Sequence, residues 1–496
     1  MRSFARAVTS PAAQGSSGLR ELAFWSLAVG APIGVLFLAA TQLDAKWFSL
    51  LFSGCLIAIG SLAVRERKHY YLLLLVLTIP VGIDLNIMFR QSTVNRSTYG
   101  FLITLSHISL VALLILDLKE RFAARLPLDI STKGLMPLAG LFAVAAISVG
   151  MARSQLFGAF DLFALATSIL LFSCVSWCIR DTRELRLAVA GIVFTMGAQG
   201  ILAIAQYLTS SSLGLDFFGA QKIMHSYAGL QTVSRAAGTL GHPNSLALFL
   251  DLLLPLSLLF LFCPMKSGMR TFVAASFVLG LFGLMATLSR GGIFCTSAAL
   301  GLAVLLKWRK YIGFVRAVFI LAFALGLCAV VVLSTSNPIQ QRFFKNDYGN
   351  AHGRVTLAKV AFNLIRHNPL LGVGLNNYTD TAQFYDHTPE QIVSNWNAPV
   401  HNLILFIAGE TGLPGVIFFS LFLLSILLAL LPAVSSPDPL LSNVGVGTLM
   451  GFLAFFAHTQ VDYCHWTHFI PLWLMAGLAV STGRIAARNG TAGSQQ

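Results

Sequence analysis

The stretch NLILFIAGETGLPGVIFFSLFLLSILLALL, residues 402–431, carries a single charged side chain, Glu410. A helix rising about 1.5 Å per residue needs about 20 apolar residues to cross roughly 30 Å of hydrocarbon, so this run is long enough to span a bilayer. Comparable runs fall near 23–40, 47–64, 70–88, 99–117, 135–150, 157–178, 187–208, 242–263, 271–288, 291–307, 313–333, 443–458 and 468–482. Together they predict fourteen crossings, with twelve to fourteen as the working range. Composition agrees: 56% of residues are hydrophobic, 10% charged, and mean hydropathy is +0.76, against about 25% charged in soluble domains. The expected fold is all-α, a polytopic membrane bundle with amphipathic helices in one large external loop.

Orientation follows from the cations. With the N-terminus inside, 21 of the 33 Lys and Arg fall in inner segments and the other 12 are spread over much more outer sequence, as the positive-inside rule requires. The net charge of +14 is thus a topology signal plus an outer cationic cluster, and nucleic-acid binding is not expected. The expected organisation is a cytoplasmic segment 1–22 resembling a signal anchor, a membrane bundle 23–333, a periplasmic loop 334–401, C-terminal crossings 402–482 and a cytoplasmic tail 483–496. Most cysteines lie within apolar runs, with no Cys/His metal spacing.

The outer segments are unequal. Most are short, but 209–241 and 334–401 are long enough to suggest function. In the second, Gly353 to Ile365 reads as an amphipathic helix, with Leu357, Ala361 and Leu364 on one stripe and Arg354 and Lys359 off it. It is expected to lie over the crossings as a lid. Asn368-Pro369 ends that helix, and the glycines of NPLLGVGLNNY (368–378) permit a tight turn.

Four motifs gather on the predicted outer side. RAAGTLGHPNSLALFL (235–250) sets Arg235, His242, Pro243 and Asn244 at the mouth of a crossing, with Pro243 suited to a first helical turn. Its plain reading is a capped helix with a headgroup arginine. In TLSRGGIF (287–294), Arg290 interrupts apolar sequence, where a cation is costly unless it snorkels or acts. Guanidinium groups hold their charge and fork onto phosphate oxygens, so two of them suit a diphosphate. NAPVHNLILFIAGETGLPG (397–415) puts His401 and Asn402 where the long loop returns to the membrane. Histidine, with a pKa near 6.5, can take a proton from a hydroxyl at neutral pH, although a lone one is more often a satisfied interfacial residue. Glu410 is either a buried partner or a hydrated residue at a helix break. FFAHTQVDYCHWTHF (455–469) adds His458, Asp462, His465 and His468 without HxxxH or HExxH spacing, so no metal is expected.

The chain resembles the bacterial O-antigen ligase/polymerase family, polytopic C-superfamily glycosyltransferases. The resemblance rests on RAAGTLGHPN (235–244), SRGG (289–292), GRVTLAKVAFNLIRHNPLLGVGLNNY (353–378) and HNLILFIAGETGLPG (401–415), in that order. It covers about the C-terminal half. It implies transfer of a glycan from undecaprenyl diphosphate at the periplasmic face of the bacterial inner membrane, without cofactor. By the same resemblance His401 is the base that activates the acceptor hydroxyl, and Arg235 and Arg290 grip the diphosphate. His242, Asn244, Arg354, Arg366 and Asn402 are candidates for shaping or binding substrate.

Arginines that neutralise the leaving diphosphate remove the need for a metal, and attack from the opposite face inverts the anomeric centre. Partners implied are the undecaprenyl-diphosphate-linked glycan, membrane lipids and an acceptor, either lipid A-core or a second lipid-linked glycan. A ligase is the leading reading, with an O-antigen or exopolysaccharide polymerase as the alternative. A transporter of the same lipid-linked glycan is the third reading, which Asp161 and Asp251 paired across a central cavity would favour.

Overall fold

The computed structural model describes residues 45–125, 133–218, 226–228, 231–312, 350–396 and 398–493. The expected crossings at 23–40 and 313–333, and loop residues 334–349, lie outside them. The chain divides after Arg67 into two units. The first contributes α1 (Ala45–Ala63), an apolar helix long enough to span a membrane.

The second unit begins with α2 (Arg67–Thr78), which is shorter than the expected 70–88 crossing. Pro80 and Gly82 follow it, and neither favours continued helix. The chain instead forms a small antiparallel hairpin, β1 (Asp84–Ile87) with β2 (Phe101–Thr104), in which Asp84 faces Thr104. The next helix, α3 (Leu105–Ala123), therefore starts later than the expected residue 99. Then come α4 (Leu135–Gly150), α5 (Gln155–Cys178) and α6 (Thr182–Thr209), the last capped by the Asp181 carboxylate accepting from the amides of Arg183 and Glu184.

A second short hairpin, β3 (Ser226–Ala228) with β4 (Gln231–Val233), precedes α7 (Pro243–Phe260), α8 (Ser267–Ala286) and α9 (Arg290–Ile312). The amphipathic helix of the long loop is α10 (Asn350–His367), with Leu357, Val360, Ala361 and Leu364 buried as its stripe predicts. Two short helices, α11 (Tyr378–Ala382) and α12 (Ile392–Trp396), lead back to the bundle: α13 (Leu403–Val434), α14 (Pro439–His458) and α15 (Ile470–Gly493). Among the described residues nine helices are long and apolar enough to cross a membrane, and α4 is a shorter apolar helix. The protein is a multi-pass, all-α membrane protein.

Helices in lipid gain little from burying apolar surface, so close backbone approach does more of the work. Along α14, Gly447 and Gly451 sit one turn apart against α7. A Cβ at Gly451 would lie 2.3 Å from the Leu252 carbonyl oxygen, and one at Gly447 would lie 2.7 Å from Leu256 Cα. This GxxxG contact brings the C-terminal end of α14 beside the N-terminal end of α7.

The long loop is strapped into the bundle. At Gly412 α13 breaks, with φ 72° and ψ −175°. Across this break, residues 369–374 run beside the chain: Leu413 N donates to Pro369 O (2.8 Å), Val373 N to Gly409 O (2.9 Å) and Gly374 N to Glu410 O (2.9 Å). Asn376 continues the strap, donating through Nδ2 to the carbonyls of Thr98 and Phe157 and accepting from Ser97 N. Glu410 is fully buried as a partner rather than hydrated, its carboxylate accepting from Asn376 N (2.7 Å) and Trp466 Nε1 (3.4 Å).

Candidate active site

Six segments meet at one end of the bundle. The 234–241 loop is pinned to the end of α8, Ala236 N donating to Ala286 O (3.1 Å). The start of α13 is pinned to the end of α14, Leu403 N donating to Thr459 O (2.9 Å) and Asn402 Nδ2 to Gln460 O (3.1 Å). The α9 start meets the α14 end through Ser289 Oγ and His458 Nε2, 3.2 Å apart. The N-terminal turn of α10 approaches the same place through Arg354, whose guanidinium lies 3.9 Å from the Asp462 carboxylate.

Arg235 is buried, donating through Nε to Thr287 O (2.8 Å) and through a terminal nitrogen to Asn244 Oδ1 (2.6 Å). Asn244 therefore orients Arg235. His242 caps α7, its Nδ1 accepting from Asn244 N (3.1 Å), and Pro243 occupies the first turn as expected. Burial, and then the charge of Arg235, push the His242 pKa down to about 4, which keeps it neutral; Asp462 and His401 also act on it.

His401 is half-buried, its Nδ1 3.2 Å from Pro399 O and its ring tilted toward Tyr463. Burial lowers its pKa from the ordinary value; the Asp462 carboxylate opposes this and Arg354 adds to it. At neutral pH it is thus an unprotonated imidazole, as a general base must be. Asn402 has a capping role as well, its Oδ1 accepting from Leu405 N (2.9 Å). Asp462 is buried, which by itself would raise its pKa. The hydrogen bond and charge of His458, with His401 and Arg354, outweigh burial and hold it well below the usual carboxylate range.

His401, His242 and Arg354 thus share the field of Asp462, and Arg235, held by Asn244, acts on His242. Arg290 opens α9, immediately after the serine that meets His458. Arg366 is not in the group: it is exposed in the last turn of α10, twelve residues or about 18 Å along the helix from Arg354.

The sequence reading set no role for Asp251 or Asp462 at this site. Asp251, on α7, bonds His458 Nδ1 (2.6 Å) and the hydroxyl of Thr296, whereas Asp161, on α5, bonds Thr98 (3.4 Å) and Thr467 (3.1 Å). The two carboxylates are satisfied separately, so the pairing that would favour a transporter is not formed. Of the other loop histidines, His465 and His468 stack at 4.9 Å, and burial pushes the His468 pKa down to about 4. Only the order of HTQVD, placing Asp462 four residues after His458, hinted that the two share a turn.

Comparison with known proteins relates part of the chain to one family. No curated protein matches the chain. A solved chain described under "Structural coordination of polymerization and crosslinking by a peptidoglycan synthase complex" is 15% identical, with a TM-score of 0.38, over 71% of this chain and 96% of that one. That likeness is too weak to carry fold or function. The O-antigen ligase family model matches residues 275–420, a span that holds Arg290, Arg354 and His401 and leaves Arg235 and His242 just outside. This match supports membership of the chain in the O-antigen ligase family.

Proposed function

We propose that the protein transfers a glycan from undecaprenyl diphosphate to an acceptor hydroxyl at the periplasmic face of the inner membrane, with both termini cytoplasmic. The observation that carries this reading is the gathering of His401, Arg235, Arg354 and Asp462 at one end of the bundle, beside the turn that presents Arg290. His401 takes the acceptor proton as the acceptor oxygen bonds to the sugar anomeric carbon. The bond from that carbon to the diphosphate breaks, and the polyprenyl diphosphate leaves with the electron pair. Arg235 and Arg290 face the charge that grows on it, which is where fixed cations stabilise a transition state most. Attack opposite the leaving group inverts the anomeric centre, and no step requires a metal.

His242, Asn244, Arg354 and Asn402 shape this site in the proposal, with Arg366 as an outlying contact for a long glycan. Ligase activity, onto lipid A-core, is the leading reading; a polymerase would use a second lipid-linked repeat through the same donor half. Complementation of a deletion strain tests both. Loss of the protein should leave long unattached chains if it is a ligase and single repeats if it is a polymerase. Unchanged surface glycan in the deletion strain would refute the proposal.

A further inference from the structure

We infer that His458 is a positioning residue for the transfer, locking the turn that carries Arg290, the carboxylate that faces His401 and Arg354, and the helix that begins at His242 into one frame. The inference rests on the proposed reading of this cluster as a glycosyl-transfer site. His458 is the last residue of α14 and is fully buried. Its two ring nitrogens face two carboxylates from different segments: Nδ1 lies 2.6 Å from Asp251 on α7, and Nε2 lies 3.5 Å from Asp462 in the loop after α14. Nε2 also meets Ser289 Oγ at 3.2 Å, and that hydroxyl accepts from Gly292 N at the start of α9. From α9, Thr296 completes the shell by donating to Asp251.

The SRGG motif is shaped around this ring. A Cβ at Gly291 would lie 2.6 Å from His458 Cδ2 and 2.9 Å from Nε2. One at Gly292 would lie 2.9 Å from Ala247 Cβ on α7 and 3.3 Å from His458 Cε1. The two glycines therefore let α9 close onto the imidazole and α7 together, which fixes where Arg290 leaves the helix. On the other side, His458 holds Asp462, whose other charged or titratable neighbours are His401 from the start of α13, Arg354 from α10, His242 from the start of α7, Asp251 within α7 and Cys464 in its own loop. One side chain thus relates the donor-gripping turn to the base. Misplacement of a catalytic group by about 1 Å can cost ~10²-fold in rate.

The test uses the full-length protein in membranes or reconstituted vesicles, supplied with undecaprenyl-diphosphate-linked glycan, and follows transfer rate against pH together with the unfolding midpoint. His458→Gln is expected to lower kcat by ~10²-fold, measured well below the onset of unfolding, because its midpoint falls too as Asp251 and Asp462 lose their buried partner. Its acid limb, which follows His401, should also move to lower pH, because Asp462 loses the group that holds it ionised and, once protonated, no longer raises the His401 pKa. A lesion that merely loosens the fold lowers the amplitude and leaves the limb in place. Gly291→Ala keeps the histidine but crowds it; it should lower both the midpoint and the rate. In the Gly291→Ala/His458→Ala double variant the crowding is gone, so its midpoint should match that of His458→Ala alone, while the rate should stay low. A His458→Gln protein with the parent rate and limb, or a Gly291→Ala defect no smaller beside His458→Ala, would overturn the inference. A parent protein that transfers nothing from the undecaprenyl donor would instead overturn the proposed function beneath it.

Discussion

Substitution of Gly412 should release the long loop from the bundle. At φ 72° and ψ −175° this residue occupies a region essentially reserved for glycine, where a side chain costs about 1–3 kcal/mol. The new Cβ would also lie 2.5 Å from both C and O of Leu370 and 2.7 Å from Leu371 N. These are backbone atoms of the strap and cannot rotate aside, so a further overpacking cost of about 1–3 kcal/mol applies. Gly412→Ala should therefore lose about 2–6 kcal/mol, or relieve the clash by shedding the Leu413–Pro369, Val373–Gly409 and Gly374–Glu410 hydrogen bonds. Where the bonds are shed, α10 and its Arg354 lose this anchor. Trp466, buried with its Nε1 on Glu410, supplies a fluorescence signal beside the break. Denaturant unfolding of the purified protein in mild detergent, with limited proteolysis of 368–378, would measure the loss. Gly268→Ala is the control, since a Cβ there meets nothing within 4 Å; it should change stability by less than about 0.5 kcal/mol. A Gly412→Ala protein with the parent midpoint and an uncut strap would refute this account of the break.

The acid limb of transfer should follow His401, since activity falls as that imidazole gains a proton. Arg354→Gln removes a neighbour that lowers its pKa and should move the limb to higher pH, whereas Asp462→Asn removes one that raises it and should move the limb lower; limbs moving together would contradict the assignment. Arg290→Lys keeps the charge but loses the planar fork, and should cost about 1–3 kcal/mol of transition-state stabilisation, read as a fall in kcat/KM; full activity would argue against bidentate gripping. Prolonged treatment of purified protein with EDTA should leave the rate unchanged, and loss restored by a divalent cation would contradict metal-independent transfer.

Local patterns were legible in sequence wherever period and turn chemistry decide structure. The stripe of Leu357, Ala361 and Leu364 predicted α10, and the glycines of 368–378 and 412–415 marked the strap and the break it covers. The hairpin at 84–104 was not legible, because strands of four residues are too short for a periodicity that separates them from helix, and only Pro80 and Gly82 signal the change. The site was half legible. Sidedness placed His401, Arg235 and Arg290 together, but sequence order carries no distance. Asp251 and His458 are 207 residues apart and join only because the Gly447 and Gly451 surface lets α14 close on α7. The same packing explains the two glycines after Arg290, which make room for an imidazole.

In the proposed function His401, Arg235 and Arg290 serve one transfer from undecaprenyl diphosphate. Its most direct measurement is single-turnover transfer by the purified protein in lipid vesicles, from undecaprenyl-diphosphate-linked glycan to lipid A-core or to a second lipid-linked repeat, for the parent and for His401→Ala, Arg235→Ala and Arg290→Ala. Each variant is expected to fold and insert as the parent does and to lose at least ~10²-fold of the rate of glycosyl transfer. Parent-like rates in all three would contradict it and move the chemistry away from this end of the bundle.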